Sequence, residues 1–440
     1  MRDDNINYKR NKNTKVSVIT LGCSKNTVDS ERLLNQLKVN NFDLQIDPGN
    51  AETIIINTCG FIESAKQESL NTIINAVNLK QEGALKKVIV AGCLSERYRQ
   101  ELKKEIPEVD AYYGTENYEG ILKELGGKLK YNLLGERLLT SPSHTAYLKI
   151  SEGCDHPCSF CAIPLMRGKH KSKTKEELIK EARFLAANNT KELVIIAQDT
   201  TDYGIDIYGK RSLGELLNDL SNVDGIEWIR LMYAYPSKFP DDVVDIIASN
   251  PKICKYIDIP LQHISDNILK SMRRGITSKR TRELLNKLRD KIPGVSLRTT
   301  FIVGYPNETE KEFKELCDFV SEIKFDRMGV FTYSIEEDTA SYILGDPVAD
   351  EVKEERKNIL MEMQKEISLK KNENLVGDKV DVLLENIEND FFVGRTYRDA
   401  PEIDGEILLT GDNMEIRLGE FYAAEIFDYD EYDLYGKFII

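Results

Sequence analysis

The sequence predicts an α/β protein in three parts: an N-terminal parallel-sheet α/β domain (residues 14–128), a central incomplete (β/α)6 barrel (140–372) and a small C-terminal antiparallel β-barrel (373–440). Three observations carry this reading. Short β-branched runs alternate with helically spaced apolar stretches, as parallel strands joined by crossover helices require. A glycine-rich polar stretch at 126–142 separates three such units from six more, and reads as a linker. Beyond a long charged helix at 350–374, the pattern changes to short alternating runs broken by Gly and Asp.

Taken in order, the first strands are 16–21 (VSVITL), 53–57 (TIIIN) and 88–91 (VIVA), followed by helical patterns at 30–39, 62–77 and 94–106. The barrel strands are 145–151, 192–197, 228–233, 256–259, 296–303 and 327–333. Amphipathic stretches at 175–188, 213–220 and 308–323 lie between them. Six units are too few to close a barrel of eight, so one side should stay open. The last segment reads VDVLLENI, FFVGRTY, EILLT and FYAAEIF, the alternation of half-buried strands.

Composition excludes whole classes of protein. With 41% hydrophobic and 30% charged residues over 440 positions, the chain is neither disordered nor collagenous. No apolar run approaches the ~18 residues of a membrane span, and residues 1–15 lack the apolar core of a signal peptide, so a cytoplasmic location is expected. Eight cysteines are too sparse for a disulfide scaffold, and clustered ones read first as metal ligands. The net charge of −14 is concentrated: residues 373–440 hold 18 Asp or Glu against five Lys or Arg, a net −13. Such a segment repels a phosphate backbone and attracts a basic partner, unless it is only a solvated face.

Two cysteine constellations carry the chemistry. Cys23, Cys59 and Cys93 each directly follow a strand, in LGC, NTC and AGC. The carboxyl ends of parallel strands share one crevice, so three thiols 36 and 34 residues apart in sequence can meet there. Taken singly, each reads as a small buried hydrophobe; their threefold equivalence, with a second cysteine set downstream, turns the reading to ligation. Cys154, Cys158 and Cys161, spaced C-x3-C-x2-C in SEGCDHPCSFCAIPLMRGKHKSK, leave the first barrel strand. Three thiolates on one short loop can hold three corners of a four-iron cluster, whereas zinc wants four ligands, here obtainable only if His156 completes the set.

These residues resemble the radical S-adenosylmethionine superfamily, whose loop also carries an aromatic residue such as Phe160 before the last cysteine. With the N-terminal trio before the barrel and a small β-barrel after it, the chain is similar to the methylthiotransferase family, whose last barrel is a TRAM domain that holds the substrate, so the acidic segment is expected to receive the basic ribosomal protein. The wording of TLGCSKNTVDSE, NTCGFIESAKQES, LMYAYP, YIDIPLQHISDNILKSMRRG and APEIDGE is similar to the RimO-type branch, from about Lys15 to the C-terminus. The resemblance implies two [4Fe-4S] clusters, one on Cys23, Cys59 and Cys93 and one on the catalytic Cys154, Cys158 and Cys161. It implies S-adenosyl-L-methionine as cofactor, and transfer of a methylthio group to the β-carbon of an aspartate in the twelfth small-subunit ribosomal protein. The MiaB-type branch, which modifies tRNA adenosine, would show Gln-Met where this chain has Ser24 and Lys25, and C-T-[FY]-C-I-V-P where it has CSFCAIP. A metal-binding scaffold that docks basic partners is the more distant alternative.

By the same resemblance Gln198, Asp199, Arg298, Gly304 and Glu308 fall where the superfamily contacts S-adenosylmethionine, although each could be an ordinary cap or turn residue. Arg167, Lys169, Lys171 and Lys173 could neutralise a carboxylate of cofactor or substrate, or form a solvated basic stretch. Cys254 and Cys317 read as core residues, before a strand and within a helix. His144, His156, His170 and His263 are isolated, and only His263 falls near the barrel mouth. The expected partners are a basic ribosomal protein and an electron-donor protein, with the sulfur donor unidentified, tRNA disfavoured but kept as the alternative substrate, and no membrane.

Overall fold

The computed structural model describes residues 14–411 and 415–439, so the N-terminal stretch from which a signal peptide was excluded lies largely outside it. The described chain forms two compact units. One comprises residues up to Thr140 together with Ala162–Lys169, and the other Ser141–Cys161 with His170 onwards. The three expected segments thus sort into two bodies, and the short stretch after Cys161 belongs with the first.

The first unit is a five-stranded parallel sheet of β1 (Lys15–Thr20), β2 (Asp43–Leu44), β3 (Thr53–Thr58), β4 (Lys87–Gly92) and β5 (Ala111–Tyr112), in the order β2-β1-β3-β4-β5. Every residue of β3 is buried, because helices cover both faces of a parallel sheet. Ile54, Ile56, Val88 and Val90 pack on Ile73 and Val77 of helix Glu63–Gln81. Ile55, Ile89 and Ala91, from the alternate positions, meet Leu33 and Leu37 of helix Ser24–Val39 on the other face. That helix starts six residues earlier than its apolar periodicity suggests, since its first turns bury polar side chains: Asn26, Asp29, Ser30 and Glu31. The expected helix at 94–106 is two, Cys93–Arg97 and Arg99–Glu105. The stretch at 126–142 is strapped to helix Ser24–Val39, with Arg137 donating to buried Glu31 at 2.9 Å and the backbone N–H groups of Lys128 and Lys130 donating to Asn40 and Gln36.

The second unit holds six parallel strands, β6 (Thr145–Lys149), β9 (Glu192–Ile196), β10 (Trp228–Leu231), β11 (Ile253–Asp258), β12 (Ser296–Val303) and β13 (Arg327–Thr332), ordered β13-β12-β11-β10-β9-β6. β7 (Ser151–Glu152) and β8 (Lys171–Ser172) form a small hairpin that the sequence pattern did not reveal. Helix Asp350–Glu373 packs on β13 and leads into a closed barrel of β14 (Lys379–Glu388), β15 (Phe391–Arg395), β16 (Ile407–Thr410), β17 (Phe421–Tyr429) and β18 (Leu434–Phe438). Cys254 lies inside β11 rather than before it, and Cys317 is half-buried in helix Glu310–Ile323.

Charged side chains bind the small barrel to the large one. Arg395 donates to Glu192 at 2.6 Å and to Glu385 at 2.7 Å, while Arg230 donates to Glu192 at 2.7 Å and to the Tyr397 carbonyl at 2.7 Å. Arg327 pairs with Asp399, and Tyr256 donates to Asp404 at 2.7 Å. Glu192, Ser296 and Arg327 are the first residues of their strands, so the small barrel covers the amino-terminal ends and leaves the carboxyl ends free.

Burial opposes the charge of Glu385, but hydrogen bonds from His144 and Arg395 hold its pKa at about 2, below the ordinary 4.5. A carboxylate depressed on folding contributes stability that is fully present above pH 4.5 and is lost as pH falls towards 2. Glu385→Gln should therefore lose roughly 3 kcal/mol at neutral pH and flatten the stability profile between those values, as followed by urea unfolding across a pH series.

Candidate functional site

Register places the first trio of thiols. Thr20 of β1 pairs with Asn57 of β3, and Asn57 with Ala91 of β4, so the three strands end level and release Cys23, Cys59 and Cys93 along one edge. Glycines make the convergence possible. A Cβ at Gly22 would lie 2.7 Å from Cβ and 2.9 Å from Sγ of Cys59, and one at Gly92 would lie 2.4 Å from Asn57 Oδ1; both glycines take positive φ. Ser69 clamps Cys59 from both sides, accepting from its N–H at 3.0 Å and donating to its carbonyl at 2.8 Å.

Arg167 is the residue whose role the sequence concealed. It was grouped with Lys169 and Lys171, which are exposed, but is itself buried in the first unit. Its Nε donates to Cys93 Sγ at 3.3 Å, its Nη1 to Asp29 at 2.7 Å and its Nη2 to Asn26. Burial raises the pKa of Cys59, and burial lifts that of Cys93 to about 12 against the pull of Arg167. Without metal, these two thiols keep their protons at neutral pH, and ligation must displace them.

The second trio leaves the barrel at the carboxyl end of β6. The β7–β8 hairpin closes the base of its loop, and Ser159 pins the middle: its N–H donates to the Met272 carbonyl at 3.0 Å and its hydroxyl to the Ser271 carbonyl at 2.8 Å. Phe160 packs among Ile268, Met272, Tyr305 and Tyr333. Burial lifts the Cys154 thiol to about 12. Cys158 Sγ receives Arg274 Nη1 at 3.4 Å and faces Tyr235 Oη at 3.7 Å. His156 is stacked on Tyr235 at 3.7 Å, and its Nε2 bonds Asp199 at 2.6 Å.

The donor sets suit the groups the resemblance implies. All six thiols are free of disulfides; Cys23 raises the pKa of both Cys59 and Cys93, Cys59 adds to that of Cys93, and Cys161 and Cys158 add to that of Cys154. Sulfur-only donors arranged in threes, each set with cationic N–H groups on one sulfur, match a cluster that keeps one iron open.

The other expected contacts divide. Gln198 and Asp199 follow β9 beside the cysteine loop, with Gln198 Nε2 donating to Glu152 at 2.7 Å while its buried Oε1 has no hydrogen-bond partner. Arg298, by contrast, is the third residue of β12 and pairs with Asp258 at 3.0 Å. Glu308 accepts from the Gly304 N–H at 2.9 Å and from Arg356 at 2.9 Å, and a Cβ at Gly304 would lie 2.3 Å from Lys353 Cγ. Lys173 pairs with Glu181, His144 with Glu385, and His170 with Ser172; His263 Nδ1 accepts from the Ser265 N–H. Glu152, Tyr235 and Arg274 fall inside the motifs SEGCDHPC, LMYAYP and YIDIPLQHISDNILKSMRRG, but the sequence assigns them no role, because only the fold brings them to the cysteine loop.

Known proteins bear directly on this arrangement. Family models match residues 148–320 (Radical SAM superfamily), 15–114 (Uncharacterized protein family UPF0004) and 376–439 (TRAM domain). The chain is 51% identical over 433 residues to a protein of Cytophaga hutchinsonii named ribosomal protein uS12 methylthiotransferase RimO, covering 98% of this chain and 99% of that one. A Flavobacterium johnsoniae protein of the same name is 54% identical over 431 residues, covering 97% and 98%. Among solved structures, the radical S-adenosylmethionine methyltransferase TsrM from Kitasatospora setae shares the fold, with a TM-score of 0.54 at 14% identity over 75% of this chain and 77% of that one. No described helix is long and apolar enough to cross a membrane. With half of its residues identical over nearly its whole length to such relatives, and with three thiols on the strand ends of the first unit and three on one loop of the second, the chain belongs to the ribosomal protein uS12 methylthiotransferase family of radical S-adenosylmethionine enzymes.

Proposed function

We infer that the enzyme adds a methylthio group to the β-carbon of an aspartate in ribosomal protein uS12, using S-adenosylmethionine and two four-iron clusters. The observation that carries this reading is the pair of incomplete thiol sets, one on the level strand ends of the first unit and one on the loop after β6. We assign Cys23, Cys59 and Cys93 to one cluster and Cys154, Cys158 and Cys161 to the other. When bound, the second cluster supplies the electron that cleaves S-adenosylmethionine, the chemistry an unactivated C–H bond beside a carboxylate demands because it offers no acidic proton.

The chain's own residues prepare both sites. Arg274 donates to Cys158 and Arg167 to Cys93, and each would stabilise charge on its sulfur and so ease reduction of an iron held there. Gln198 offers a buried, unpartnered acceptor to the cosubstrate's amino group, with Asp199 beside it. Gly304 and Glu308 belong to the same proposed lining, acting through the backbone and ion pairs they hold in place, whereas Arg298, held by Asp258 and Asp404, is left out of it. The electron comes from a separate donor protein, and the reaction takes place in the cytoplasm.

Arg167→Met should leave the second site intact yet weaken iron retention by the first about 10- to 100-fold, measured as iron lost to a chelator, while Arg167→Lys recovers part of it. The target is tested by mass spectrometry of uS12 from cells with and without this chain: a methylthio mass on one aspartate only when the chain is present is expected. A gain on tRNA with uS12 unchanged would overturn the assignment.

A further inference from the structure

The turn that follows β13 carries an apolar ridge with an acidic rim. Ile343 is 87% exposed, and Tyr342, Leu344 and Ile335 are exposed beside it. Four large apolar side chains within ten residues, three of them consecutive on the single turn Tyr342–Leu344, are more than the scattered hydrophobics of an ordinary surface. Between residues 335 and 355 stand eight Asp or Glu and one cation, Lys353. That lysine is buried and engaged by Asp346 at 2.6 Å and Asp350 at 3.0 Å, so it contributes little positive potential outside. A depression of about 370 Å³ opens here, lined by Glu337, Asp338, Thr339, Tyr342 and Ile343.

The ridge is fixed to the chemistry. The Ser341 N–H donates to the carbonyl of Ser159, between Cys158 and Cys161, at 2.7 Å, and the Ser341 hydroxyl bonds Tyr333 Oη at 3.0 Å. Whatever binds the ridge is therefore held beside the cysteine loop, at the carboxyl ends of the barrel strands. The small barrel, where most of the acidic excess lies, sits at the opposite ends.

We propose that the ridge of Ile335, Tyr342, Ile343 and Leu344 is the docking surface for a Lys- and Arg-rich polypeptide segment bearing an apolar anchor, delivered there to the barrel mouth. An apolar centre with a charged rim is the anatomy of a protein interface, and the sign of the rim selects its partner. The same acids repel nucleic-acid phosphates and a second copy of the ridge. The proposal rests on the reading of uS12 as substrate and names the surface that receives it.

The test uses the cluster-loaded enzyme and fluorescently labelled full-length uS12, with anisotropy titrations over a salt series. Ile343→Ser combined with Tyr342→Ala should weaken binding at least about tenfold. Combined Glu337→Gln, Asp338→Asn, Glu351→Gln and Glu354→Gln should flatten the salt dependence. Both should keep wild-type iron content and wild-type cleavage of S-adenosylmethionine in the absence of uS12. Unchanged affinity and salt response, with uS12 still modified, would overturn the docking surface and leave the reaction standing. Failure of the wild-type enzyme to bind or modify uS12 would instead overturn the substrate reading. Self-association lost on mutating the ridge, or tRNA binding lost in its place, would also overturn the proposal.

Discussion

Replacing Cys158 by alanine should abolish S-adenosylmethionine cleavage and lower the iron of anaerobically prepared protein from about eight to about four per chain. The prediction separates ligand loss from fold loss. Cys158 is half-buried, and its neighbours satisfy one another without it: Tyr235 Oη donates to the Arg274 carbonyl at 2.7 Å, the Arg274 guanidinium lies 4.3 Å over the Tyr235 ring, and Ser159 keeps the loop pinned. The stability cost should stay within about 1.5 kcal/mol. Cys254→Ala supplies the contrast, because Cys254 is buried inside β11 and should keep the full iron content. Iron and cleavage are measured on the same samples; wild-type cleavage by the Cys158 variant would remove this cysteine from the cluster.

The largest effect on stability is expected at Glu192. It is fully buried between two guanidiniums; burial works against its charge, but Arg395 and Arg230 hold its pKa below the usual carboxylate range. Glu192→Leu leaves both cations buried and facing one another, and should cost about 3–5 kcal/mol. Replacing Arg230 and Arg395 by methionine and Glu385 by glutamine in the same chain should recover much of that, since the two cations and the carboxylate that Arg395 also holds are then removed together. The urea midpoint reports the difference, and limited proteolysis should show the small barrel released in the single variant. A loss under about 1 kcal/mol would mean that the network is not what holds the two barrels together.

Much of this was legible in the residue pattern. The β-branched runs located β1, β3, β4 and all six barrel strands, and β12 was found to the residue, because parallel strands buried on both faces read as continuous apolar runs. The same rule missed β2, β5 and the β7–β8 hairpin, which are two residues long and too short to carry a period. Helix Ser24–Val39 started early because its first turns bury Asn26, Asp29 and Glu31 against backbone and counter-ions, a polar interior invisible to hydrophobic periodicity. At the site, the spacing of the thiols stood out, since each trio repeats one metal-binding residue type at regular places in the chain. Arg167 looked like its lysine neighbours because charge alone does not tell which cation turns inward.

The excursion of Ala162–Lys169 into the first unit has a practical consequence. Residues 14–140 expressed by themselves would be missing Ala162 and Met166 from the packing around Cys93, and the guanidinium that Asp29 and Asn26 receive. The N-terminal body is thus a discontinuous module, and a synthetic octapeptide of sequence AIPLMRGK, supplied in trans, is the missing piece that such a fragment would need to recover its native interior.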